Sequence, residues 1–313
     1  MRYRLLLGPV MIALLVLALL ADQWLDGQAM PVALRDFLTG VLPSAWTPRE
    51  TWPPGVLLFI IAVTVAVLGA RELSALLISE GIEASKRMMT TAALVGLVVS
   101  CLVPDALPAT VVVPVMSTAA MGVLVMAMVF YSRKKSVEGV ITGTGGVLLT
   151  FVYLGLMFGF QLAIRREYHA LILLWVLLTT KSCDIGALFA GKALGKHKLI
   201  PWLSPGKTWE GLAGGVLTSA AICAAGMVLV GRWAGVPVPA WWHGAVLGVL
   251  LGLTGQAGDL LESILKRDAG SKDSGKSIPG FGGVLDVIDS PLLTGPVAFW
   301  WLEVASRSGY FTR

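Results

Sequence analysis

The 313-residue sequence is 56% hydrophobic and only 14% charged, with a mean hydropathy of +0.79, against roughly 25% charged residues in soluble domains. That balance excludes a water-soluble globular protein, and apolar runs spread along the whole chain exclude a soluble domain on a single anchor. The net charge of +5 sits in short loops between apolar runs, where anionic headgroups or phosphates, not nucleic acid, are the fitting partners.

Taken in chain order, nine spans are expected at about 5–21, 54–70, 90–104, 109–131, 140–163, 170–190, 211–231, 244–264 and 284–304. Arg2 and Arg4 ahead of Leu5, with Ala21 at a possible cleavage point, also fit a signal peptide; a retained first anchor is the expectation. Asp22 to Trp52, broken by Pro31, Pro43 and Pro48, reads as an outer loop with room for a short interfacial helix and no assigned chemistry. The fold class is therefore an all-α, polytopic integral membrane protein. It forms one membrane domain over 1–313, with N-terminal helices in 1–170 and the catalytic part in 171–304.

Sixteen of the 24 lysines and arginines fall on one side if the N-terminus is cytoplasmic: Arg2 and Arg4, then Arg71, Lys86, Arg87, Arg133, Lys134 and Lys135, then Lys192, Lys196, Lys198 and Lys207, then Lys266, Arg267, Lys272 and Lys276. Basic loops resist translocation, so both polar loops of the C-terminal half are placed in the cytoplasm. Cys101, Cys183 and Cys223 lie in or beside apolar segments without a C-x-x-C pair, and His169, His197 and His243 lack metal-binding spacing. Any metal is expected to be oxygen-ligated.

Carboxylates then concentrate at the cytoplasmic ends of the last two spans. Asp259 and Glu262, three apart, share one helical face, although Glu262 and Arg267 also fit a solvated helix end. The loop Asp268 to Gly283, with Lys272, Asp273, Lys276 and several glycines, offers backbone amides and mobile charge to a phosphate. Asp286 and Asp289, again three apart, are flanked by Val284, Leu285, Val287 and Ile288, which a solvated face explains poorly. With Asp259 they compose a cage of hard oxygens suited to Mg²⁺, the alternative being a structural polar network reaching Lys181.

The other loop runs from Lys181-Ser182-Cys183-Asp184 to Ser204-Pro205-Gly206-Lys207-Thr208-Trp209-Glu210-Gly211. Gly206-Lys207-Thr208 looks like the end of a P-loop, but Pro201 occupies the position of the first glycine. Ser204 or Thr208 instead fits the cap of the following helix, whose amides and dipole favour a phosphate beside Lys207. Neither loop pairs a nucleophile with a base, so covalent hydrolysis is disfavoured. Lysines, hydroxyls and clustered acids suit phosphoryl-type transfer, where positioning and charge neutralisation dominate.

Ser263-Ile-Leu-Lys266-Arg267, four residues, Lys272-Asp273, and then Gly282-Gly283-Val-Leu-Asp286-Val-Ile-Asp289 resembles the signature of the phosphatidate cytidylyltransferase (CDP-diacylglycerol synthase) family. Asp184 with Ser204-Pro205-x-Lys207-Thr208-x-Glu210-Gly211 is similar to that family's second motif, so the motifs cover about 181–290. Two positions depart: Phe281 stands where a histidine is usual and Val287 where an arginine is usual, each removing a polar group near the expected site.

The resemblance implies CTP and phosphatidic acid as substrates, CDP-diacylglycerol and pyrophosphate as products, and, on that basis alone, a homodimer in the inner membrane with a cytoplasmic active site. It implies Asp259 and Asp286 as leading Mg²⁺ ligands, with Asp289 close by and a second cation admitted. Lys266, Arg267, Lys272 and Asp273 become the catalytic set, and Asp184, Ser204, Lys207, Thr208, Glu210 and Ser263 the substrate-binding set. The rival readings are a cytidylyltransferase for another lipid phosphate, a CTP-dependent polyprenol kinase and, in a different class, an ion-coupled transporter.

Overall fold

The computed structural model describes residues 2–41, 50–106, 109–133, 137–235, 237–275, 277–278, 280, 282–308 and 311–312. Hydrocarbon offers no water to satisfy a peptide group, so an apolar run must keep its backbone hydrogen bonds inside one helix. Each expected run does lie in a helix: α1 (Arg2–Asp26), α3 (Val56–Ser79), α4 (Lys86–Ala106), α5 (Ala109–Ser132), α6 (Val140–Thr150) continuing through a π-helical turn at Phe151–Leu156 into α7 (Met157–Glu167), α8 (Ala170–Leu194), α9 (Trp209–Ala234), α10 (Trp241–Asp268) and α11 (Leu285–Arg307). A short helix, α2 (Val32–Val41), occupies the segment expected to hold one, and Pro43 and Pro48 lie outside the described residues.

Among the described residues, seven helical segments rather than nine are long and apolar enough to cross a membrane. The two left out are α4 and α11. The first has side chains described along only part of its length, and the second carries Asp286, Asp289, Glu303 and Arg307, which lower its apolar character. The chain is a multi-pass α-helical membrane protein. Its internal contacts divide it into two compact units, Met1–Ala170 and Leu171–Arg313.

Within the first unit, α4 lies against the π turn at a point where neither side carries a side chain. A Cβ on Gly96 would stand 2.7 Å from the Phe151 carbonyl oxygen and 2.9 Å from the Gly155 Cα, so the two glycines permit a backbone approach that alanine would block. At the other end of α3, Asp22 of α1 accepts the amides of Gly55 at 3.0 Å and Leu57 at 2.8 Å. Those are orphan donors of a helix start. The same carboxylate takes Arg165 Nε of α7 at 2.6 Å, while Arg165 Nη2 reaches Asp26 at 2.6 Å. Arg165 is only 2% exposed and Asp22 only 1%.

In the second unit α10 packs between α9 and α11. Gly244, Gly248 and Gly252 repeat every four residues along the α10 face towards α9; a Cβ on Gly248 would lie 2.5 Å from both Ala220 Cα and the Ser219 oxygen. Ser219 Oγ donates to the Gly248 carbonyl at 2.7 Å. On the opposite face a Cβ at Gly258 would meet the Asp289 carbonyl oxygen at 2.6 Å. That approach carries the acidic end of α10 up against the start of α11.

Candidate active site

The segment between α8 and α9 is a β-hairpin, a feature that the sequence, read as a capped loop, did not disclose. Strands β1 (Lys198–Ile200) and β2 (Ser204–Thr208) pair antiparallel, with Lys198 opposite Thr208 and Ile200 opposite Ser204. Its last residue is extended and becomes the cap of α9: Thr208 Oγ1 accepts the Gly211 amide at 3.1 Å. Glu210, in the first turn of α9, holds the hairpin's entrance. It accepts the amides of Lys196 and His197 at 3.1 and 3.2 Å and contacts His197 Nδ1 at 2.6 Å.

The hairpin projects Lys207 towards α10, where its Nζ pairs with Asp259 Oδ2 at 2.6 Å. One ion pair thus ties the two polar loops together. Around it, Asp184, Gly191, Lys192, Gly206, Thr208 and Gln256 line an open cleft of about 370 Å³. Gln256 Nε2 donates to Asp184 Oδ1 at 3.0 Å, and Lys181 Nζ lies 3.7 Å from Asp184 and 3.4 Å from Asp289. The Lys181 bridge considered from the sequence therefore exists alongside the acidic cluster.

Asp259, Glu262 and Asp289 each offer a carboxylate oxygen, all within 4.8 Å of one another. Glu262 is 1% exposed, and its Oε1 is buried without a hydrogen-bond partner among the described residues, while Oε2 takes Lys266 Nζ at 2.6 Å. Three hard oxygen donors with a buried acceptor still unfilled form a set that fits a divalent cation of the Mg²⁺ type.

Asp286 stands differently from its neighbour. Its Oδ1 takes Lys266 at 2.7 Å, and its Oδ2 accepts the Ser274 amide, the Ser274 hydroxyl and the Gly283 amide at 3.0, 2.8 and 2.7 Å. In this arrangement the carboxylate pins the loop between α10 and α11 and lies outside the trio. Asp289 faces the trio because Ser290 orients it through its amide (2.6 Å) and hydroxyl (3.2 Å).

Of the other expected residues, Ser204 belongs to the hairpin and Ser263 is half-buried on α10. Arg267 is exposed and donates to the Ser271 carbonyl at 3.2 Å; Lys272 and Asp273 are exposed on the loop. Lys276 and Phe281 lie outside the described residues, and Val287 is half-buried in the first turn of α11. Glu262 is the residue whose place the sequence left open. Its i, i+3 spacing from Asp259 was the available signal, and burial against α11 decides it.

A model of the cytidylyltransferase family matches residues 37–305, which takes in both units and every residue of this site. The chain belongs to the cytidylyltransferase family. Among its relatives, the phosphatidate cytidylyltransferase of Bacillus subtilis is 38% identical over 164 residues, 52% of this chain and 59% of that protein. The phosphatidate cytidylyltransferase of Brucella suis is 50% identical over 108 residues, 34% of this chain and 38% of that protein. An uncharacterized Escherichia coli protein, YnbB, is 44% identical over 135 residues, 43% of each chain. The chain thus spans about half the length of the curated relatives it matches.

Proposed function

We propose that this protein transfers the cytidylyl group of CTP to phosphatidic acid, forming CDP-diacylglycerol and pyrophosphate on the cytoplasmic side of the inner membrane. The observation that carries the reading is the Lys207–Asp259 ion pair. It joins a phosphate-favouring helix start to a trio of carboxylates at the rim of one cleft. Two named relatives are phosphatidate cytidylyltransferases, which supports the choice of lipid phosphate.

In the reaction a phosphatidate oxygen forms a bond to the α-phosphorus of CTP as the bond to the bridging α–β oxygen breaks, and pyrophosphate leaves. The attacking oxygen is already anionic, so no strong general base is required. The difficulty is bringing two anions together. Lys207 and Lys192 would receive phosphate oxygens in the cleft, with the positive end of the α9 dipole beside them and the Thr208 cap fixing that helix end. Lys181 and Gln256 hold Asp184 in place on the cleft wall. Lys266, held between Glu262 and Asp286, ties the acidic helix end to the loop that follows it.

A divalent cation, Mg²⁺ in this proposal, would be held by Asp259, Glu262 and Asp289 and would supply charge neutralisation for the entering and leaving phosphates. Asp286 then serves to position Lys266 and the loop, a role different from the ligand role expected from the sequence. Purified protein given radiolabelled CTP, phosphatidate and Mg²⁺ should yield CDP-lipid and pyrophosphate. Release of CDP instead would indicate a kinase, and no lipid product at all would sink the assignment.

A further inference from the structure

Below the polar cleft the surface of the second unit changes character within one helical turn. Trp209, Leu212, Ala213, Val216 and Leu217 of α9, joined by Leu253 of α10, line an apolar groove of about 380 Å³. Their spacing of three and four residues puts all five α9 positions on one face of the helix. Three of the residues are open to the surroundings: Trp209 is 57%, Leu217 70% and Leu253 45% exposed. Single apolar residues facing lipid need no explanation in a membrane protein. A concave trough that begins where a charged cleft ends is a different feature.

The two spaces adjoin at Leu212, which lines both. Lys207 and Thr208, at the head of the groove, immediately precede Trp209 in the chain and line the cleft. From Trp209 to Leu217 the helix advances about 12 Å, against about 15 Å for the hydrocarbon of one leaflet. Positive charge at the top, with an apolar trough running down from it, complements an amphiphile with a phosphate head and a long chain.

We propose that this groove holds one acyl chain of the phosphate-headed lipid whose headgroup enters the cleft, and that Ala213, Val216, Leu217 and Leu253 set the preference for chain length. This inference rests on the lipid-phosphate reading above and adds the seat of its hydrophobic part. The headgroup stays in the cleft for any lipid of the class. The groove discriminates only between long and short chains.

The test compares dioleoyl with dihexanoyl phosphatidate in detergent micelles, using wild type, Ala213→Trp to fill the groove, and Val228→Trp as a control at an exposed α9 position outside it. Ala213→Trp should lower kcat/KM for the dioleoyl substrate by about tenfold, chiefly through KM, and change the dihexanoyl value by less than about twofold. Val228→Trp should alter neither. Equal losses on both substrates, or none on either, would overturn the inference. So would a change of oligomeric state confined to Ala213→Trp, since a second copy of the chain would then be the occupant.

Photolabelling provides a readout that does not need turnover. A phosphatidate carrying a diazirine in one chain should label the Trp209–Leu217 peptide, with excess dioleoyl phosphatidate suppressing the signal and phosphatidylcholine leaving it. Labelling elsewhere, or suppression by both lipids alike, would overturn the groove assignment. A labelled groove in a protein that makes no CDP-lipid would overturn the catalytic reading alone.

Discussion

Each of the two units contains a buried cluster of charge, and the clusters differ in how completely they are satisfied. In the first unit Arg165 is shared between Asp22 and Asp26, and both oxygens of Asp22 also accept amides at the start of α3. That network fastens α1, α3 and α7 together, each carboxylate oxygen of Asp22 taking a donor. In the second unit Asp184, Asp259, Glu262, Asp286 and Asp289 are set among Lys181, Lys207 and Lys266. Negative charge is in excess, Glu262 Oε1 has no hydrogen-bond partner among the described residues, and Asp184 and Asp259 line a cleft. Burial of charge alone does not distinguish a strut from a site. Leftover acceptor capacity beside an accessible space does.

The sharpest way to break that contrast is Arg165→Met. Removing one partner of a buried ion pair costs about 3–5 kcal/mol, so the variant should unfold at distinctly lower temperature in detergent while its turnover per folded molecule stays near that of wild type. Selective loss of turnover with stability intact would erase the distinction. Asp259→Asn should behave in the opposite way, keeping its stability to within about 1 kcal/mol and losing at least about a hundredfold in CDP-lipid formation. Glu262→Gln probes the part of the site that the sequence left open. Mn²⁺ binding followed by electron paramagnetic resonance should weaken on the order of tenfold, or about 1.4 kcal/mol, whereas Asp286→Asn should retain the ion. Reversal of that order would move Asp286 into the ligand set and Glu262 out of it. The smallest effect is expected for Thr208→Val, which removes the α9 cap and should cost about 1 kcal/mol of stability.

The helices themselves were legible because lipid leaves an apolar run little else to become. Asp259, Asp289, Lys207 and Thr208 were legible for a second reason: charge and caps at the ends of apolar runs are costly without a purpose. The hairpin was hidden. Its strands of three and five residues, with Pro201 in the turn between them and Pro205 inside the second, show no alternating pattern long enough to read. The division of labour between Asp286 and Glu262 depends on where Lys266 and Ser274 lie in space, which helical spacing does not encode. The Asp22–Arg165 pair joins residues 143 positions apart, a separation no local pattern spans.

Gly258 gives the site its dimensions. Every residue with a side chain would press a carbon against the Asp289 carbonyl oxygen, driving α10 and α11 apart at the one level where their acids converge. The gauge of the acidic cage is thus kept by a missing methyl group. Gly258→Ala would widen it without touching any carboxylate, so the position is bound to glycine by a demand for proximity as strict as the demand for charge at its neighbour Asp259.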